Sequence, residues 1–145
     1  AYERAATTDP TNFDAHYYMG LMRQLVGRVQ DAIQAYLQAL AINPNSVEAN
    51  RDLAAAYLQS GQSDEALPYA MKAVELNPDA QAAWCNLAAT YSLLGQYDKA
   101  VDAYREAAEL GDLADPVMLG LADAHLRLGN YQRAINVLRT LLRRQ

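Results

Sequence analysis

Apolar residues along this chain recur at helical spacing, in pairs of stripes separated by a short break. Trp84, Leu87, Ala88 and Tyr91 fall at i, i+3, i+4 and i+7, one face of a helix. Beyond Gly95, Tyr97, Ala100, Val101 and Tyr104 repeat the spacing, which predicts a second amphipathic helix facing the first across a short link. The plan recurs every 34 residues: the turn glycines are Gly27, Gly61, Gly95 and Gly129, and the alanines after them are Ala32, Ala66, Ala100 and Ala134. Met19, Leu53, Leu87 and Leu121 form the large apolar column, and Pro10, Pro44 and Pro78 keep the same step, with Asp112 in the fourth place. A fixed period of this length marks a repeat array, in which each unit covers its apolar side with the next.

The register describes residues 1–145 as a single array, with full units at 13–46, 47–80, 81–114 and 115–145. Residues 1–12 read as the end of a preceding unit's second helix, because Tyr2, Ala5 and Pro10 align with Tyr36, Ala39 and Pro44. A chain that opens in mid-repeat reads as a piece of a longer protein, so the absence of a leader sequence carries no weight. Asn43-Pro44-Asn45 ends the first unit, since proline drives the residue before it out of helical conformation. Pro68 falls inside a second helix expected to start near Ser63. So close to a helix start it costs less than the ~3 kcal/mol of an interior proline, and the helix is expected to continue with a slight bend. Gly111 stops the second helix of the 81–114 unit, and Asp115-Pro116 opens the last one with proline in a first turn. No polar capping helix follows Leu138, Leu141 and Leu142, which are therefore expected to be partly exposed.

Trp84-x2-Leu87-Ala88-x2-Tyr91, followed by Ala100-x3-Tyr104, resembles the tetratricopeptide repeat pattern W-x2-L-G-x2-Y, A-x3-F and P. The sequence departs from it at Asp112, where proline is missing, and at Ala54, Ala88 and Ala122, which replace the family glycine kept at Gly20. Four such units in one register implies an all-α fold, a right-handed α-solenoid of stacked antiparallel helix pairs.

Composition narrows the function. The net charge of −5 argues against a nucleic-acid partner or an anionic membrane surface, both of which call for a basic stripe. No apolar run approaches the length of a membrane span, so no membrane insertion is expected. Charge is uneven: residues 1–114 hold 7 Lys/Arg against 15 Asp/Glu, whereas 115–145 hold 5 Arg against 2 Asp. Arginines near helix ends answer the macrodipole, and ends of opposite sign also suit head-to-tail contact between copies. Cys85 stands alone, which excludes an internal disulfide and fits a reducing compartment such as the cytoplasm. Phosphate-cradling, dinucleotide, zinc-protease and nucleophile-elbow motifs are absent. His16 shares a column with Asn50, Trp84 and Met118, and His125 with Arg23, Tyr57 and Tyr91. These are packing columns, so both histidines read as core fillers. No catalytic residue, metal site or cofactor is expected.

Function then falls on the surface that stacking creates. In the family, first helices line the concave side of the superhelix, where ligand segments lie. Transferred by register, the resemblance implies a peptide-binding groove of Asp14, Tyr17, Tyr18, Leu21 and Leu25, then Glu48, Arg51, Asp52 and Ala55, with Gln59 beside them. It continues through Asn86 and Ala89, with Ala82, Cys85 and Leu93 beside them, to Asp123 and Arg127, with Leu119 and Gly120 alongside. Family members that capture acidic chaperone tails carry Lys, Asn and Arg in these columns. Here only Asn86 matches, and Asp14, Glu48 and Asp52 would repel such a tail. The expected partner is a protein or peptide with a basic or neutral polar segment, anchored on Tyr17 and Tyr18, or on Tyr18 alone where Tyr17 packs against its own neighbours. The expected function is a non-enzymatic scaffold. Its rivals are a module that self-assembles through its terminal helices and a substrate-presenting arm of a larger enzyme such as a glycosyltransferase.

Overall fold

A helix this short is marginal alone and is held by the packing of its apolar stripe. The structure, a computed structural model, describes residues 12–144. The partial unit expected over residues 1–12 lies, Asn12 aside, outside the described residues. The described part contains α1 (Phe13–Leu25), α2 (Val29–Ile42), α3 (Val47–Gln59), α4 (Ser63–Leu76), α5 (Gln81–Leu93), α6 (Tyr97–Glu109), α7 (Asp115–Arg127) and α8 (Tyr131–Arg143), with no strand. First helices start at 13, 47, 81 and 115 and second helices at 29, 63, 97 and 131, in step with the 34-residue period.

The hairpins close the same way each time. Gly27, Gly61, Gly95 and Gly129 have φ of 86°, 76°, 77° and 79°, a left-handed conformation in which a β-carbon is strained. That geometry turns the Gly95 amide onto the Ser92 carbonyl at 3.1 Å and the Gln96 amide onto the Tyr91 carbonyl at 2.8 Å, and the other three turns repeat both bonds. The paired closure satisfies carbonyls that the helix end leaves open. Between units, Asn50 Nδ2 donates to the Pro44 carbonyl at 3.1 Å and Trp84 Nε1 to the Pro78 carbonyl at 2.7 Å. Sequence register assigned this column to packing alone; at these two positions it also holds the proline turn.

The described residues divide into two compact units, with the boundary between Asn77 and Pro78. In the first, α1 pairs with α2, α3 pairs with α4, and α3 lies against both α2 and α1. Ile33, Tyr36 and Leu40 from α2 meet Leu53, Ala56 and Tyr57 from α3 and Ala66 from α4. In the second unit, α5 pairs with α6, α7 pairs with α8, and α7 lies against both α6 and α5. Its core joins Ala107, Leu113, Met118 and Leu141, with Trp84 and Leu121 packed beside them.

Helix α4 starts at Ser63 and runs unbroken through Pro68. Pro68 is the sixth residue of the helix, past the leading amides that have no partner in any case, so the Asp64 carbonyl loses its intrahelical donor and the helix continues in spite of that loss. The last helix corrects one expectation. Leu142 is 65% exposed and Leu138 half-buried, but Leu141 is buried, because it faces Leu113 and Met118 and not the open side. His16 and His125 are both buried, and burial, aided by Arg133 and Arg105, lowers the His125 pKa.

Tyr36, fully buried, seats its ring on Gly20. A β-carbon on Gly20 would come within 2.6 Å of Tyr36 Cε1 and 2.7 Å of Cδ1. Helix propensity alone favours Gly→Ala by about 1 kcal/mol. Overpacking against a ring that cannot move is worth about 1–3 kcal/mol the other way. Gly20→Ala is therefore expected to lower stability in urea denaturation, against the propensity trend.

Candidate functional site: the first-helix face

In each unit two first helices lie side by side, and their outward stripes form one face. In the first unit, α1 presents Asp14, Tyr18 and Leu25 to solvent with Leu21 half-buried, and α3 presents Glu48, with Arg51, Asp52 and Ala55 half-buried. Tyr18 is 42% exposed and Leu25 87%. The face is thus acidic at one end, where Asp14 and Glu48 stand, and apolar at the other, where Leu21 and Leu25 stand.

The two tyrosines divide their roles. The Tyr17 ring stacks on Phe13 at 5.9 Å, meets Tyr18 edge-on at 5.3 Å and lies 6.0 Å from Tyr36. Its hydroxyl donates to Asp52 Oδ2 at 2.6 Å, while Arg51 Nε pairs with Asp52 Oδ1 at 3.3 Å. Tyr17 is therefore a pillar between α1 and α3, and the Asp52 carboxylate is already engaged. It does not stand open as the sequence register suggested; Asp14 and Glu48 carry the exposed acid. A second polar tie runs alongside: Tyr36 donates to Gln24 at 2.7 Å, and Gln24 donates to Gln59 at 2.9 Å.

Both inter-helix ties, Tyr17 to Asp52 and Gln24 to Gln59, span 35 residues, one more than the repeat. Neighbouring first helices thus meet one residue out of register. Complementary polar side chains 35 apart were the signal in the sequence that column-by-column reading passed over. In the second unit the same step pairs Cys85 with Gly120 and Ser92 with Arg127, so its first helices lack these two ties.

On the second unit's face, Asn86, Ala89 and Cys85 of α5 are half-buried, and Ala82 and Leu93 are exposed. On α7, Leu119, Asp123 and Arg127 are exposed; Arg127 pairs with Asp123 at 3.4 Å and lies 5.8 Å from the Tyr97 ring centroid. Gly120 has a packing reason: a β-carbon there would collide with the Tyr104 hydroxyl. Burial raises the Cys85 pKa, which keeps it a neutral thiol. Among the described residues no three His, Cys, Asp or Glu side chains gather to hold a metal, and no helix is long and apolar enough to cross a membrane.

Five tetratricopeptide repeat profiles match the chain, over residues 1–34, 25–61, 47–90, 82–110 and 119–145. The chain belongs to the tetratricopeptide repeat family. Sequence comparison with curated proteins gives no match. Among solved structures, a crystal structure of MamA superposes with a TM-score of 0.92 at 22% identity, over 99% of this chain and 84% of the other. MamA 41-end from Desulfovibrio magneticus RS-1 gives 0.91 at 21% identity, over 98% and 80%. At that identity the likeness is one of fold, an all-α solenoid of stacked helix pairs. A tetratricopeptide array of this kind is a protein-interaction scaffold whose partner is another protein or a peptide.

The tie between the first helices has a titration signature. Burial first, then the hydrogen bond to Asp52, raises the Tyr17 pKa; burial and Asp52 also raise that of Tyr36. A raised phenol favours the folded state while protonated. That contribution is fully present below the unfolded tyrosine pKa of about 10 and is lost as pH rises through the folded values. Stability measured by urea denaturation is expected to fall above pH ~10. Tyr17→Phe should reduce that fall and cost about 1–3 kcal/mol at neutral pH, by leaving a half-buried carboxylate short of a donor.

Proposed function

We propose that this repeat array binds a partner segment along its first-helix face, with a basic or neutral polar stretch near Asp14 and Glu48 and an apolar stretch over Leu21 and Leu25. The observation that carries this reading is Tyr18 and Leu25, exposed on a helix whose opposite side is core, in line with two exposed carboxylates. A partly exposed tyrosine ring anchors a ligand at low rotamer cost. A face braced by Tyr17–Asp52 and Gln24–Gln59 needs little ordering on binding. The acidic end sets polarity: it attracts a cationic segment and repels an acidic tail. In the second unit, Asn86 and the Asp123–Arg127 pair offer polar groups to a ligand's backbone, while Ala89 leaves room for it.

A library of peptides that place Arg or Lys before an apolar stretch, measured by fluorescence anisotropy, tests the reading. Tyr18→Ala with Glu48→Lys should weaken any selected peptide by about tenfold or more, near 1.4 kcal/mol. Asp52 is left intact because it holds α1 to α3. Unchanged affinity in the double variant would place binding elsewhere.

Self-assembly is a second reading, favoured by the outer side of α8, where Tyr131, Ile135 and Leu142 are exposed at i, i+4 and i+11. Leu142→Glu should then abolish concentration-dependent sedimentation; a chain that sediments as a monomer without that substitution removes this reading.

A further inference from the structure

The hairpin of α5 and α6 holds a cleft distinct from the first-helix face. Its volume is about 280 Å³; Trp84, Leu87 and Tyr91 line its α5 side, and Asp102 and Glu106 stand on its α6 side with Lys99. Leu87 is buried, Trp84 and Tyr91 are half-buried, and the three charged residues are exposed. The Trp84 ring is fixed twice over, by its bond to the Pro78 carbonyl at 2.7 Å and by packing beside the Met118–Leu141 core. Asp102 and Glu106 are four residues apart on a helix and so share one of its sides.

A fixed aromatic wall opposite two exposed carboxylates is the chemical complement of a flat cation. The aromatic face attracts positive charge through its quadrupole, and the carboxylates accept from its N–H groups. The chain itself shows the first half of this recognition: Lys99 Nζ lies 5.8 Å from the Tyr91 ring centroid. We propose that this cleft takes an arginine side chain of a partner protein, its guanidinium plane toward Trp84 and its fork toward Asp102 and Glu106. Arginine fits better than lysine because its planar fork reaches two acceptors while its face stays free to stack. The repeat supplies its own controls. At the positions of Trp84, Asp102 and Glu106, the unit before holds Asn50, Pro68 and Lys72, and the unit after holds Met118, Asn136 and Thr140. Of the four units only 81–114 carries the set, so it would fix the register of a basic partner along the array. This site is independent of the first-helix face.

Trp84 is the sole tryptophan, so its emission reports on the cleft directly. The probe is acetyl-Gly-Gly-Arg-Gly-Gly-amide, titrated into the full chain beside the same peptide with citrulline, which keeps the shape and loses the charge. The expected result is a saturable change in Trp84 emission with the arginine peptide, weakened about tenfold or more with citrulline and in Asp102→Asn/Glu106→Gln. Both substitutions are near-isosteric and exposed, and an unchanged thermal melt verifies that the variant folds. Tyr18→Ala should leave the titration unaltered, which separates this site from the first-helix face. An equal response to citrulline, full affinity in the double variant, loss on Tyr18→Ala, or no saturable change up to the solubility of the peptide would each overturn the assignment.

Discussion

Within each compact unit the structure depends on one form of contact: the apolar side of a second helix is covered by the first helix of the following pair, α2 by α3 and α6 by α7. In the first unit, Ile33, Tyr36 and Leu40 of α2 meet Leu53 and Ala56 of α3, and each large side chain so buried contributes about 1.5–3 kcal/mol. No single hairpin has enough surface to hide its own stripe, so packing links neighbours in sequence and leaves the first-helix face outside the core. That separation lets one set of residues hold the fold while another, one stripe over, is free to vary with the partner.

The boundary between the two sets is not clean. Tyr17 and Asp52 belong by register to the ligand-facing stripe, yet they spend their polar groups on each other. Gln24 and Gln59 do the same one end further along. The first unit's face is therefore stiffened by polar ties, and what it offers a ligand is the remainder: a ring edge, two leucines and two carboxylates. In the second unit the matching positions carry Cys85, Gly120, Ser92 and Arg127, and the Tyr104 hydroxyl stands where a β-carbon on Gly120 would lie.

Helix order and helix ends were legible in the sequence because the code for them is local. A glycine at each hairpin turn, with Pro44, Pro78 or Gly111 at the exits between units, marks conformations that other residues resist, and four turn glycines in register amplify the signal. The continuation of the helix through Pro68 was readable as well, from the apolar stripe on either side of it. The site was less legible. Its ties run between helices one residue out of the repeat, so matching columns alone left Asp52 as an open charge and Tyr17 undecided between the groove and its own neighbours. Leu141 was misjudged similarly, since hydrophobicity says that a residue seeks cover but not which of two adjacent sides already has it. The second role of Asn50 and Trp84, holding a proline carbonyl, depends on a bond that apolar periodicity does not encode.

The seat of Tyr36 on Gly20 limits what can be carried from one repeat to another. One unit on, the glycine's column holds Ala54 and the tyrosine's column holds Ala70, so the missing ring is balanced by an added methyl. In the unit after that, Ala88 and Tyr104 stand together, and the Tyr104 hydroxyl lies against Gly120 of the following first helix. Space for a large ring is made inside the hairpin in one cassette and beyond it in another, so a substitution tolerated in one cassette does not transfer to its neighbour by position alone.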